Sequence, residues 1–193
     1  YVTMHAYMPV SIRRAIAAGV KCIEHGQLMD EPTAQLMAAK GVWLCLQPFL
    51  GDEDAIQQPT EELRAKAAQV NAGTENAYTL AKKYELKTAF GTDTLFDAQL
   101  AARQGQQLAK LARWYTPAEV LRMATADNGE LLALCGARNP YPGPLGVVAE
   151  GAWADLLLVD GDPLSDLALI ADPDRNFVVI MKDGVLYKNR LAR

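Results

Sequence analysis

Four short apolar runs, each followed by a stretch of helical periodicity or a loop and helix, constrain this chain more than any other feature. The runs are "YVTMHAY", "VKCIEHG", "VWLCLQP" and "KTAFGTD". Each is too short for a globular helix, and "VWLCLQP" is continuous in apolar character, as strands covered on both faces are. In the first intervening segment, Pro9 sits where a helical first turn tolerates a missing N–H, Ile12, Ala15 and Ile16 share one face, and Gly19 supplies a stop. "DEPTAQLMAAKG" reads as a helix capped by Asp30, with Leu36 and Met37 inward and Gly41 closing it. A loop runs from Pro48 to Pro59, and a long helix is expected from about Glu61 to Lys83. Strand–helix alternation of this kind favours a parallel sheet or barrel with right-handed crossovers, an α/β class.

The pattern changes further along. Two helical segments are expected after Asp93, "AQLAARQGQQLAKLARW" and "TPAEVLRMATADNGELLAL", the second capped by Thr116 with Pro117 at its first position. "NPYPGPLG" is a turn-rich break. Beyond it "VVAEG", "ADLLLVDGDP" and "FVVIMKDGVLYKN" read as short strands, with Asp183-Gly184 as a hairpin turn. A small β portion is therefore expected from about residue 140 onward.

Composition removes several function classes. With 193 residues, half of them hydrophobic, the chain can bury a substantial core. Its formal charge of −4 disfavours sequence-independent binding to nucleic acid, which needs clustered Lys and Arg. No apolar run approaches the roughly 18 residues of a membrane span. Cys22, Cys45 and Cys135 are widely spaced with no CxxC, which argues against a disulfide framework or a zinc finger and suits a reducing cytoplasm.

Reactive side chains of parallel β/α folds gather at the carboxyl ends of strands. His5 and His25, the only two histidines, end the first and second runs, and Asp93 ends "TAFGTD". Two imidazoles and a carboxylate are ligand types for Zn²⁺ or a similar ion. Each also has an ordinary reading. A His after a strand can be a hydrogen-bonded structural residue, and Asp93 between Thr92 and Thr94 can be a helix cap. Glu24, by strand alternation, should face away from His25 and serve packing or a salt bridge. Cys22 and Cys45 are expected to be small core residues, and Arg13 and Arg14 a solvated helix face.

Taken together, "VTMHAY", "AIAAGVKCIEHG", "GTDT", "GAWADLLLVDGDPLSDL" and "VVIMKDGVLYKN" resemble the C-terminal part of the metal-dependent amidohydrolase superfamily, more narrowly its imidazolonepropionase-like and Xaa-Pro dipeptidase-like members. The likeness runs in order from the first residue almost to the last. It implies the C-terminal half of a (β/α)8 barrel, strands five to eight, over residues 1–139, followed by part of a small β-sandwich over 140–193. It also implies that His5, His25 and Asp93 are the metal ligands of strands five, six and eight. Family members carry an HxH motif on strand one and, in binuclear members, a carboxylated Lys on strand four. Neither is in this chain, which is expected to start on the fifth strand of a barrel whose first half is absent from it. "VWLCLQP" ends in Gln47-Pro48 where relatives often have Pro-Thr, a departure that puts the contact made there in doubt.

The activity implied is hydrolysis of an amide C–N bond by metal-activated water, with one or two divalent ions such as Zn²⁺. The substrate would be a small amide, an N-acyl amino acid or a dipeptide. Asp93 would accept the proton of the nucleophile and pass it to the leaving amine. His25 would bind a second ion or donate to the carbonyl oxygen, and Tyr7 would hold a substrate carboxylate or carbonyl, or form the pocket wall. Two alternatives stand beside this: an aminohydrolase releasing ammonia from a heterocycle, and a non-catalytic half-barrel serving as an assembly unit. Alone, the chain is expected to be a poor or inactive catalyst that associates with itself or with its missing N-terminal half.

Overall fold

The computed structural model describes residues 1–94 and 97–191. The chain divides into two compact units, Tyr1–Ala101 and Ala102–Arg193.

The first unit is built on four parallel strands, β1 (Thr3–Ala6), β2 (Cys22–His25), β3 (Trp43–Leu46) and β4 (Thr88–Phe90), hydrogen-bonded in the order β1-β2-β3-β4. Ile23, Leu44, Leu46 and Ala89 are buried in it, each large aliphatic side chain stabilising by roughly 1.5–3 kcal/mol. The helices between them start and stop on local chemistry. Helix α1 (Pro9–Ala17) begins at Pro9 and buries Ile12 and Ala15. In α2 (Glu31–Lys40), Asp30 accepts from the Thr33 backbone N–H at 3.0 Å. The helix ends at Gly41, whose φ of 60° returns its N–H to the last carbonyls. The 23-residue α3 (Glu61–Lys83) is capped by the Thr60 hydroxyl at 3.2 Å and buries Thr74, Ala77, Tyr78 and Ala81, the i, i+3, i+4, i+7 stripe. Tyr78, fully buried, donates its hydroxyl to the Leu46 carbonyl at 3.2 Å and so ties α3 to the carboxyl end of β3.

A short α4 (Ala98–Ala101) closes the first unit. In the second unit, α5 (Gln104–Ala109) runs into a 3₁₀ turn at Lys110–Arg113. Helix α6 (Pro117–Arg122) opens on a capping box in which Thr116 and Glu119 satisfy each other's backbone N–H. The single helix expected from Thr116 onward is instead α6, a π turn at Met123–Asp127 and α7 (Asn128–Ala133). The passing backbone of Leu145–Gly146 presses against Thr125 and Gly129 at that break, a contact no local pattern reports.

Strands β5 (Leu156–Val159), β6 (Phe177–Lys182) and β7 (Val185–Asn189) form an antiparallel sheet in chain order, with a four-residue helix α8 (Pro173–Asn176) before β6. Asp183-Gly184 turns the β6–β7 hairpin with both φ positive, at 49° and 72°. "VVAEG" is not a strand: it lies in bends and turns, with Val148 90% exposed and Ala149 accepting from the Ala152 N–H. No helix among the described residues is long and apolar enough to cross a membrane.

Candidate active site

The register of β1 on β2 sets His5 opposite Glu24 and Ala6 opposite His25. Side chains alternate along a strand, so parity alone sends His5 and His25 to opposite faces. They meet nonetheless, with His5 Nδ1 2.8 Å from His25 Nε2 and ring centroids 4.9 Å apart. The backbone of His25 provides the explanation. Its φ of 82° lies in left-handed space, which re-aims the side chain at the last residue of β2. Such a conformation costs a β-carbon-bearing residue about 1–2 kcal/mol and persists only where its surroundings enforce it. Here the inter-strand bonds continue past the strand: Gly26 N–H donates to Ala6 at 3.0 Å and Leu28 N–H to Tyr7 at 3.2 Å.

Around the pair, the Tyr7 ring lies parallel to the His25 imidazole at 4.4 Å, and Phe49 tilts against it at 6.3 Å. His25 is buried, and its Nδ1 lies 2.8 Å from Gln47 Oε1. Asp93 sits beyond the end of β4, also with positive φ, at 53°. Its carboxylate charge reaches both Tyr7 and His25. Burial, and then the Asp93 carboxylate, raise the Tyr7 phenol above its ordinary value, so it stays a donor at neutral pH. Burial pulls the His25 imidazole below the usual histidine value, a trend the Gln47 hydrogen bond and Asp93 oppose.

Below the pair, Glu24 shares the His5 face of the sheet, where it accepts from the Thr3 hydroxyl and from Cys22 Sγ at 3.7 Å. Burial pushes the Cys22 thiol up to about 12 and raises Cys45 as well, so both thiols stay protonated at neutral pH, Cys22 in the core and Cys45 only half-buried, where a core residue was expected. All three cysteines are free.

The structure thus brings His5, His25 and Tyr7 into contact and sets Asp93 within electrostatic reach. Two facing imidazole nitrogens fit a divalent ion as a donor pair. Among the described residues, no group of three or more His, Cys, Asp or Glu gathers as a metal site, so the pair is an incomplete set. Gln47 and Phe49 were not expected as neighbours of His25. The departure at Gln47-Pro48 marked the position in the sequence, but nothing there indicated which atom the amide would meet.

The amidohydrolase family profile matches residues 1–187. The chain belongs to the amidohydrolase family. This amidohydrolase is 29% identical over 200 residues to ochratoxinase of Aspergillus niger, an alignment covering 97% of this chain and 38% of that protein. Among solved structures, it is similar to a prolidase complexed with N-methylphosphonate-L-proline, at 32% identity and a TM-score of 0.85, covering 98% of this chain and 45% of that one. It is also similar to a Xaa-Pro dipeptidase with methionine bound in the active site, at 28% identity and a TM-score of 0.79, with 98% and 45% covered. The chain therefore spans less than half the length of each of these relatives. Its parallel and antiparallel sheets match the architecture of the amidohydrolase structures.

Proposed function

We propose that this amidohydrolase contributes the C-terminal half of a metal-dependent active site that hydrolyses the amide bond of an N-acyl amino acid or dipeptide bearing a free carboxylate. The observation that carries this reading is the meeting of His5 and His25 at 2.8 Å with Tyr7 stacked on His25, in a chain whose relatives include ochratoxinase, a prolidase and a Xaa-Pro dipeptidase. In this reading residues 1–139 are barrel strands five to eight with their helices, and 140–193 are part of a small β-sandwich.

His5 and His25 would hold a divalent ion, with Zn²⁺ the first choice for imidazole donors, and Asp93 would complete their side of the site. The bound ion would polarise the scissile carbonyl and lower the pKa of water toward about 7. The chain's own residues do the rest. Asp93 takes the proton released by the attacking water and delivers it to the leaving amine nitrogen, a general acid–base role. The phenol of Tyr7, kept protonated by burial and by the Asp93 charge, donates a hydrogen bond to the substrate carboxylate or carbonyl. The Tyr7 ring stacked on His25 and Phe49 tilted beside it pack against an imidazole that is itself buried.

Two donors and a carboxylate leave coordination unfinished, so full activity is proposed to need an N-terminal half supplying the remaining ligands. The test is to assay the purified chain with Zn²⁺ against N-acyl amino acids and Xaa-Pro dipeptides, alone and after mixing with a separately expressed N-terminal half of a relative. Metal-dependent hydrolysis appearing on mixing, and lost with His25→Ala, supports the reading. Hydrolysis in neither arm refutes the activity, and strong hydrolysis by the chain alone refutes the need for a second half.

A further inference from the structure

The side of His25 that faces away from His5 carries a second piece of information. Gln47 is the first residue after β3 and is only 3% exposed. Its Nε2 lies 3.1 Å from the Cys45 backbone carbonyl. A carbonyl can only accept, so the atom directed at Cys45 is the amide NH₂, and the atom directed at His25 is the amide oxygen. That oxygen can only accept in turn. The proton in the 2.8 Å contact between His25 Nδ1 and Gln47 Oε1 therefore resides on Nδ1. A neutral imidazole protonated at Nδ1 has a bare lone pair at Nε2, and His25 Nε2 is the atom that meets His5 Nδ1 at 2.8 Å. The donors then run in one direction: His5 Nδ1–H to His25, His25 Nδ1–H to Gln47, and Gln47 NH₂ to Cys45.

We infer that Gln47 is a positioning residue, whose amide oxygen locks His25 in the Nδ1–H tautomer and thereby presents the Nε2 lone pair to the space shared with His5. A metal ligand needs its lone pair on the coordinating nitrogen, and which ring nitrogen carries the proton is set by the partner of the other one. The use of this device rests on the metal-hydrolase reading; the tautomer itself does not.

The amide is well placed to impose this order because the backbone that carries it is held on both sides and the amide itself is anchored on Cys45. Its own backbone carbonyl accepts from Gln27 Nε2 at 3.3 Å, and the preceding carbonyl, of Leu46, accepts from Tyr78 at 3.2 Å. On the remaining side lies Gly91, where a β-carbon would stand 3.3 Å from Gln47 Nε2. Reversing the amide would set its oxygen against the Cys45 carbonyl, acceptor facing acceptor, and so lose the 3.1 Å hydrogen bond that fixes its orientation.

The chain has only two histidines, so the test is direct. The full chain is labelled with ¹⁵N-histidine, and long-range ¹H–¹⁵N correlation spectra are recorded above the histidine titration range, at about pH 8, with His5→Gln used for assignment. His25 is expected to show a pyrrole-type Nδ1 and a pyridine-type Nε2. Gln47→Met, close in volume and lacking the acceptor, should abolish that preference, whereas Gln47→Glu should keep a proton on Nδ1. Zn²⁺ titration by calorimetry should show the Met variant binding about 10–100-fold more weakly than wild type. A wild-type His25 protonated at Nε2 overturns the inference even if the variants do not fold. An unchanged tautomer in a folded Gln47→Met variant does so too. If the tautomer is as inferred but Zn²⁺ binds wild type and Gln47→Met alike, or binds neither the chain alone nor the chain mixed with the N-terminal half of a relative, the metal reading falls and the positioning of His25 by Gln47 stands.

Discussion

Replacing Gly91 with alanine should damage the site without touching either histidine. A β-carbon built at Gly91 stands 2.8 Å from Cys45 Sγ and 3.3 Å from Gln47 Nε2. Ordinary contacts of this kind are about 3.5–4.0 Å, so Cys45, Gln47 or the start of the β4 loop must move by several tenths of an ångström. Overpacking on this scale costs about 1–3 kcal/mol. The neighbour is the informative part. If the sulfur is the main obstruction, Cys45→Ala should relieve it, and Gly91→Ala combined with Cys45→Ala should be less destabilising than the sum of the two single changes by about 1 kcal/mol. The measurement is urea unfolding of the four proteins of the cycle, alongside the position of the His25 ring signals, which should shift in Gly91→Ala and return toward wild type in the double variant. Strict additivity, or a Gly91→Ala protein as stable as wild type with unmoved His25 signals, would refute the close packing of β4 on Gln47.

Four further outcomes are expected. Asp30→Ala, which removes the cap of α2, should cost about 1 kcal/mol; the half-exposed Arg13 pair adds little. The Asp30 carboxyl is held below its ordinary 3.8 chiefly by the Thr33 hydroxyl, so its contribution is complete above that pH and is lost as pH falls through the depressed value; urea midpoints measured down an acid series should show this dependence weakened in Asp30→Asn. In the complete enzyme, compared at equal metal loading, Asp93→Asn should lower kcat by roughly 10²–10⁴, as measured by steady-state kinetics beside metal analysis; near-normal turnover would assign proton transfer to another group. Tyr7→Phe should raise KM for substrates with a free carboxylate while leaving kcat within a few-fold, and an equal KM across carboxylate and amide-capped substrates would reduce Tyr7 to a wall of the pocket.

Much of the fold is legible in the chain because its punctuation is local. Pro9, Asp30, Gly41 and Thr60 act within a few residues of themselves, and the helices they bound, α1 to α3, lie where the periodicity puts them. The four apolar runs become the four parallel strands, although "KTAFGTD" keeps only Thr88–Phe90 in the ladder. What local pattern misses is set by parts of the chain that arrive from elsewhere. The π turn at Met123–Asp127 lies under the Leu145–Gly146 backbone, and "VVAEG" has β-branched residues but no strand pairing among the described residues. At the site, the types and strand-end positions of His5 and His25 were visible, whereas alternation predicts that they diverge. Only the left-handed backbone of His25 reconciles position with contact. The partnership of His25 with Gln47 was equally hidden, since it depends on which end of an amide the Cys45 carbonyl selects.

The parallel order β1-β2-β3-β4 also fixes how much chain must close to make each contact of the site. His5 and His25 are separated by 20 residues and His25 and Gln47 by 22, one βα unit in each case. Docking two neighbouring units is therefore enough to form each contact, and such short-range closure belongs to the fast end of folding for a parallel sheet. Asp93 lies 68 residues beyond His25 (93 − 25), and closing that longer loop costs about 1 kcal/mol more by chain-length scaling. The polar pair and its glutamine should thus close over shorter loops than the approach of Asp93 to them, so on refolding the His25 ring signals should regain their native positions no later than those of Asp93.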